Sequence, residues 1–150
     1  MKNNFSKLEF DLDISGKSPA LFFKKKTPYI NEKILKKLSI FSRVNNNCNV
    51  RICLHKNQKS KMHNMAVLLN KKNKSVIHVH KDTDEVYQIL KGKMEVNIFS
   101  KKKKKLKSYI LSKKKNLIIR INLGTIHQTK PLTSSVIFCE NRYKPSKIKK

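Results

Sequence analysis

Acidic residues, glycine and cysteine are scarce in this chain, and each scarcity excludes something. There are only three glycines. Gly16-Lys17-Ser18 has the ending of a phosphate-binding loop, but the position five residues before Gly16 is Asp11 rather than glycine, so the loop pattern fails. The three cysteines, Cys48, Cys53 and Cys139, are odd in number and contain no Cys-x-x-Cys pair. They argue against a disulfide framework and a thiolate metal site, and fit reduced thiols in a cytoplasmic protein. No run of eighteen apolar residues occurs, so no transmembrane helix is expected. The opening Met-Lys-Asn-Asn-Phe-Ser-Lys-Leu-Glu-Phe lacks the apolar core of a secretory signal.

Nine acidic residues face 36 basic ones, for a net charge of +27. Only Arg43, Arg51, Arg120 and Arg142 of the basic set are arginine, and asparagine occurs 15 times. Lysine and asparagine richness with few arginines suggests AT-biased coding rather than selection for a polyanion partner. No nucleic-acid-binding motif is visible, and the lysines are not interleaved with aromatics that could stack on bases. Specific nucleic-acid binding is therefore not expected, although weak, salt-sensitive association with polyanions is. Hydrophobic content of 38% lies above the disordered range, and 150 residues suffice for one domain with a core.

What the chain does have is Val76-Ile-His-Val-His-Lys-Asp-Thr-Asp-Glu85. Alternation along a strand would project His78 and His80 from one side. Lys81 to Asp84 are polar and turn-prone, so Glu85 would start an antiparallel strand opposite the histidines. A lone His-x-His fits a solvated strand face equally well. The carboxylate, Gly92, and a distant histidine that follows a glycine, His127 after Gly124, favour a divalent-metal site of mixed nitrogen and oxygen ligands. Three of the five histidines fall within these two stretches.

His78-x-His80-x4-Glu85-x6-Gly92 resembles the first motif of the cupin superfamily, and Gly124-x-x-His127 resembles the end of the second. Lys72 and Asn122 stand where that family often has a glycine and a proline; both are backbone-shaping positions. The resemblance implies a small cupin-type double-stranded β-helix, or jelly-roll barrel, in which His78, His80, Glu85 and His127 ligate one metal. Fe, Mn, Ni and Zn all suit such ligands. Arg51-x-Cys53-x-His55, Met65 and Phe138-x-Glu140 are similar to the WbuC-type cupin-fold metalloproteins. That likeness, over about residues 43 to 145, implies a cytoplasmic protein associated with surface-polysaccharide (O-antigen) gene sets. A homodimer is the assembly common among cupins.

The rest of the chain fits an all-β barrel with an N-terminal helix. Residues 1–45 read as an arm. Within it Phe5, Leu8, Phe10, Leu12 and Ile14 partly alternate, and an amphipathic helix over about 31–41 is capped by Asn31, with Ile30, Ile34, Leu35, Leu38 and Phe41 on one stripe. Residues 42–49 read as a linker. Residues 46–143 form the barrel, with strands near Val50–His55, Met65–Leu69, Met94–Ile98, Leu106–Leu111, Leu117–Ile121 and Ser135–Glu140. Leu117–Ile121 reads as a buried strand, and Lys101–Lys105 as a solvated hairpin tip. Residues 144–150 form a basic tail.

Arg51 and His55 are the candidate catalytic residues, able to meet an anionic or carbonyl-bearing substrate if they face inward. The alternation of Ile52 and Leu54 against Arg51, Cys53 and His55 leaves the inward face open. Glu140 and Arg142 read as an ion pair at the barrel rim. Three functions fit: a metal-dependent enzyme (an isomerase, epimerase or oxygenase of cupin type) on a small carbohydrate-type ligand; a non-catalytic metal or ligand sensor; and a basic nucleic-acid-associated protein.

Overall fold

The computed structural model describes residue 5 and residues 9–143. The strands are β1 (Phe10–Asp13), β2 (Ala20–Phe23), β3 (Val50–Cys53), β4 (Met62–Asn70), β5 (Asp84–Lys91), β6 (Lys93–Phe99), β7 (Lys105–Ser112), β8 (Ile118–Ile121), β9 (Ile126–Pro131) and β10 (Ser135–Tyr143), with one helix, α1 (Glu32–Val44). They form a seven-stranded sheet, β1-β2-β3-β4-β10-β5-β8, and a three-stranded sheet, β7-β6-β9. The fold is mainly β. The expected tail at 144–150 and Leu8 lie outside the described residues.

Several runs in the larger sheet are apolar at every position because both faces are covered. Along β10, Val136 and Phe138 enter the core between the sheets, while Ile137 enters a second core under α1. Along β4, Met65 and Val67 face inward, and Ala66 and Leu68 face the helix. The second core gathers Leu21, Leu38, Phe41, Ile52 and Leu68. In α1, Asn31 Oδ1 accepts from the Ile34 N–H at 3.0 Å, and the buried stripe of Leu35, Leu38 and Phe41 lies against this core. The helix runs on to Val44, into the expected linker, and ends at an asparagine turn in which Asn46 and Asn47 take positive φ. β2 pairs in parallel with β3, so the arm's second strand belongs to the larger sheet.

β3 answers the question of the inward face. Ile52 and Leu54 pack in the helix-side core, while Cys53 packs between the sheets. Arg51 and His55 share the Cys53 face and line a cavity of about 330 Å³.

Two expectations need correction. Leu117–Ile121 is not a buried strand. β8 is the last strand of its sheet, paired only with β5, and Leu117 and Ile118 are more than half exposed. The histidines do not stand in a strand opposite Glu85. Both edges of β5 are taken, by β10 and β8, so residues 76–80 have no place beside it. They lie instead against β9, through a single antiparallel bridge between His78 and His127.

Candidate metal centre

Three parts of the chain converge at one end of the barrel. The His78–His127 bridge consists of two backbone hydrogen bonds, each 2.9 Å, which fixes the segment carrying His78 and His80 against β9. The turn before β9 is held from two sides. Gly124 N–H donates to the His80 carbonyl at 2.7 Å, and Leu123 N–H donates to Asp84 Oδ1 at 2.9 Å. Asp84 also pairs with Arg120 at 2.9 Å. Gly124 has φ +77, a left-handed conformation that glycine adopts without strain. Glu85 enters from β5, facing Ile121 on one neighbour and Arg142 on the other.

One ligand atom from each of His78, His80, Glu85 and His127 lies within 4.8 Å of the others. Donors on opposite sides of one ion, each at about 2.1 Å, are about 4.2 Å apart, so the set closes on an ion with shifts of a few tenths of an ångström. The backbone presets the rings. His127 Nδ1–H donates to the Thr125 carbonyl at 2.9 Å, and His78 Nδ1–H to the Val76 carbonyl at 3.1 Å. Each leaves its Nε2 as the ligating nitrogen, the usual support for a metal-binding imidazole.

The residues fit a metal on a further observation. His80 Nε2 is buried and makes no aligned hydrogen bond among the described residues; it lies 3.2 Å from Glu85 Oε1, which Arg142 Nε approaches from the other side at 2.7 Å. A buried polar atom left this way is costly unless a further partner satisfies it. A cation beside it would supply one.

The electrostatics favour a ligating carboxylate. Burial alone would raise the Glu85 pKa, but hydrogen bonding to His127, the Arg142 charge, the neighbouring His80 ring and the Tyr87 hydroxyl hold it at about 2. Burial pushes His80 down to about 4 and also lowers His78, so both rings are neutral at physiological pH. Burial would lower His127 too, yet its hydrogen bond to Glu85 outweighs this and raises it. His127 Nε2 lies 3.1 Å from Glu85 Oε2, so the two ligand atoms already face one another, and any proton held between them would compete with a cation.

Sequence reasoning missed Tyr87 and misread Arg142. Tyr87 Oη donates to Glu85 Oε2 at 2.9 Å and lies 3.2 Å from His127 Nε2. Its position, two residues after Glu85 on one strand, was the available signal. Arg142 does pair with Glu140, but not at an exposed rim. Glu140 is buried, and Arg142 Nε also lies 2.7 Å from Glu85 Oε1. Phe138, Glu140 and Arg142 share the inward face of a central strand. Arg51 and His55 stand outside the ligand cluster. His55 Nδ1 meets the Asn64 backbone, and its ring stacks on His63 with centroids 4.2 Å apart. Arg51 Nη1 donates to Ser18 Oγ at 2.8 Å.

Comparison with known proteins agrees on architecture. The Schizosaccharomyces pombe Cnp3 cupin domain superposes with a TM-score of 0.52 at 15% identity, over 65% of this chain and 61% of that one. The SPY1581 protein of Streptococcus pyogenes gives 0.51 at 17%, over 65% and 75%. The cobalt(II) form of HppE in complex with substrate gives 0.52 at 13%, over 63% and 52%. The chain thus spans about three-fifths of the Cnp3 domain's length. Likeness at these identities shows the fold, which is a cupin fold, and the four side chains make a group that can hold a metal ion. No curated protein matches the sequence. A family profile described as a domain of unknown function, DUF6016, matches residues 30–111.

Proposed function

The chain belongs to the DUF6016 family, and from that premise and the cupin fold we propose that it binds a divalent transition metal through His78, His80, Glu85 and His127 and acts on a small carbohydrate-type molecule. The observation that carries the reading is the convergence of three imidazoles and a carboxylate, with one buried ligand atom, His80 Nε2, lacking a hydrogen-bond partner among the described residues. The similarity of Arg51-x-Cys53-x-His55 and Phe138-x-Glu140 to WbuC-type cupins supports a place in surface-polysaccharide metabolism.

A metal held there would supply Lewis-acid polarisation of an oxygen-bearing substrate, or activation of water. The chain's own residues supply the rest. Tyr87 and Arg142 fix the Glu85 carboxylate from either side. The Thr125 and Val76 carbonyls fix the tautomers of His127 and His78. Of the two cavities that Arg51 lines, one is walled in part by His78 and His80, so a small ligand has room beside them.

Elemental analysis of protein prepared without added metal or affinity-tag histidines tests the reading. About one equivalent of transition metal is expected, absent from His78→Ala and Glu85→Ala variants that remain folded. Folded wild type without stoichiometric metal, even after reconstitution with Fe, Mn, Ni or Zn salts, would defeat it.

A further inference from the structure

The larger of the two cavities, about 610 Å³, is of a size that holds small metabolites. His78 and His80 form part of its wall, and Arg51, Lys17 and Lys74 line it elsewhere. No aspartate or glutamate lines it among the described residues. The smaller cavity does contain a carboxylate, that of Glu140, beside Arg142.

Arg51 is the cation that the fold holds in place. Its strand is paired on both sides, with β2 and β4. Ser18 Oγ takes one guanidinium donor, Nη1. Gly16 closes over the other end of the fork: a Cβ at Gly16 would lie 3.3 Å from Nη2, tighter than a side chain comfortably accepts. Arg51 nevertheless forms no ion pair with a carboxylate among the described residues, whereas Arg142 on the same cavity is committed to Glu85 and Glu140. A half-buried guanidinium, oriented by its loop and with Asp13 and Glu140 acting on it only from beyond direct contact, has the form of an oxyanion receptor.

We propose that this cavity recognises its ligand by an oxyanion group, a carboxylate or a phosphate. Arg51 is the specificity-determining contact, Lys17 and Lys74 add charge, and the remainder of the ligand lies toward His78 and His80. The inference rests on the metal reading only in placing the bound molecule beside the metal. The anion contact itself needs none.

The test is calorimetric titration of the full chain with inorganic phosphate and with malonate, at ionic strength held constant with potassium chloride. Saturable binding of at least one anion is expected, about tenfold or more weaker in Arg51→Met, with metal content unchanged. A Lys113→Met, Lys114→Met control, on a surface turn away from this cavity, is expected to bind as the wild type does. Binding of phosphate alone assigns a phosphate-bearing ligand, and of malonate alone a carboxylate-bearing one. Absence of saturable binding, wild-type affinity in Arg51→Met, or an equal loss in the lysine control would each overturn the proposal. Should Arg51→Met not fold, Arg51→Lys keeps the charge without the fork; it is expected to bind severalfold more weakly, and unchanged affinity would count against Arg51. Metal without anion binding sinks this inference alone. Anion binding without metal sinks the metal reading alone.

Discussion

Individual side chains around Glu85 divide between those that meet a cation and those that hold the carboxylate. Tyr87 is of the second kind. Its hydroxyl gives Glu85 Oε2 a hydrogen bond in a site where water is excluded. Tyr87→Phe keeps the ring against Phe138 and removes only that donor. It should cost about 1.5–3 kcal/mol in urea unfolding, the range for a hydrogen bond to a charged group. It should also weaken metal affinity by roughly 10- to 100-fold in a competition titration, as loss of a supporting partner does. Unchanged metal affinity would mean that Tyr87 serves packing alone. His55 makes a different case. Burial lowers its pKa to about 4, and the hydrogen bond that His55 donates to the Asn64 carbonyl does not offset that or the nearby His63, Arg51 and Arg142. The unfolded chain then takes up a proton near pH 6.5 that the folded one refuses until about pH 4. Its stability contribution is therefore present above pH 6.5 and lost as pH falls through that window. Urea unfolding of wild type against His55→Gln between pH 4 and 7 should show a shallower pH dependence in the variant.

At the scale of elements, the two glycines with positive φ separate backbone strain from steric clash. Gly92, between β5 and β6, has φ +84, and a Cβ there would lie 2.7 Å from both the Ser135 carbonyl oxygen and Thr133 Oγ1. Gly124 has φ +77, with nothing among the described residues within 4 Å of such a Cβ. Gly124→Ala should cost about 1 kcal/mol, the left-handed strain alone. Gly92→Ala should cost about 3 kcal/mol or more, because backbone must also move. Thermal unfolding of the pair checks the order, and equal costs would refute it. Both glycines were legible in the sequence, as were α1 with its Asn31 cap and the strands from Val50, Met65, Met94 and Ser135, because apolar period and turn chemistry are local signals. Partnership is not local. Nothing within Leu117–Ile121 says that β8 has a neighbour on one side only, so its apolar run reads as buried. Nothing near Val76–His80 says that β5 has no free edge, so the sequence suggests a strand where there is one bridge. Glu140 and Arg142 were visible as a pair, but their burial follows from β10 lying between β4 and β5, which a terminal strand does not announce.

For the whole molecule, the site's position matters more than its ligands. Glu85 belongs to the seven-stranded sheet and His127 to the three-stranded one, while His78 and His80 lie on the segment between β4 and β5. The proposed metal would therefore join both sheets and the connection at one point, and an ion that binds only the folded chain adds to its stability by mass action. At a free metal concentration about 100 times the dissociation constant the addition is about 2.7 kcal/mol, which for a chain of this length corresponds to about 5–11 °C in melting temperature. The +27 charge acts in the opposite sense, since a lysine-coated surface repels itself and that repulsion is screened by salt. The two effects are separable in one experiment. Melting curves with and without a chelator, each at 20 mM and about 500 mM potassium chloride, should show a chelator-induced drop that survives high salt, because the cluster is buried and poorly screened. A salt-induced rise should appear in both forms. A chelator effect that vanished at high salt would locate the bound metal among exposed groups of the surface, not between the sheets.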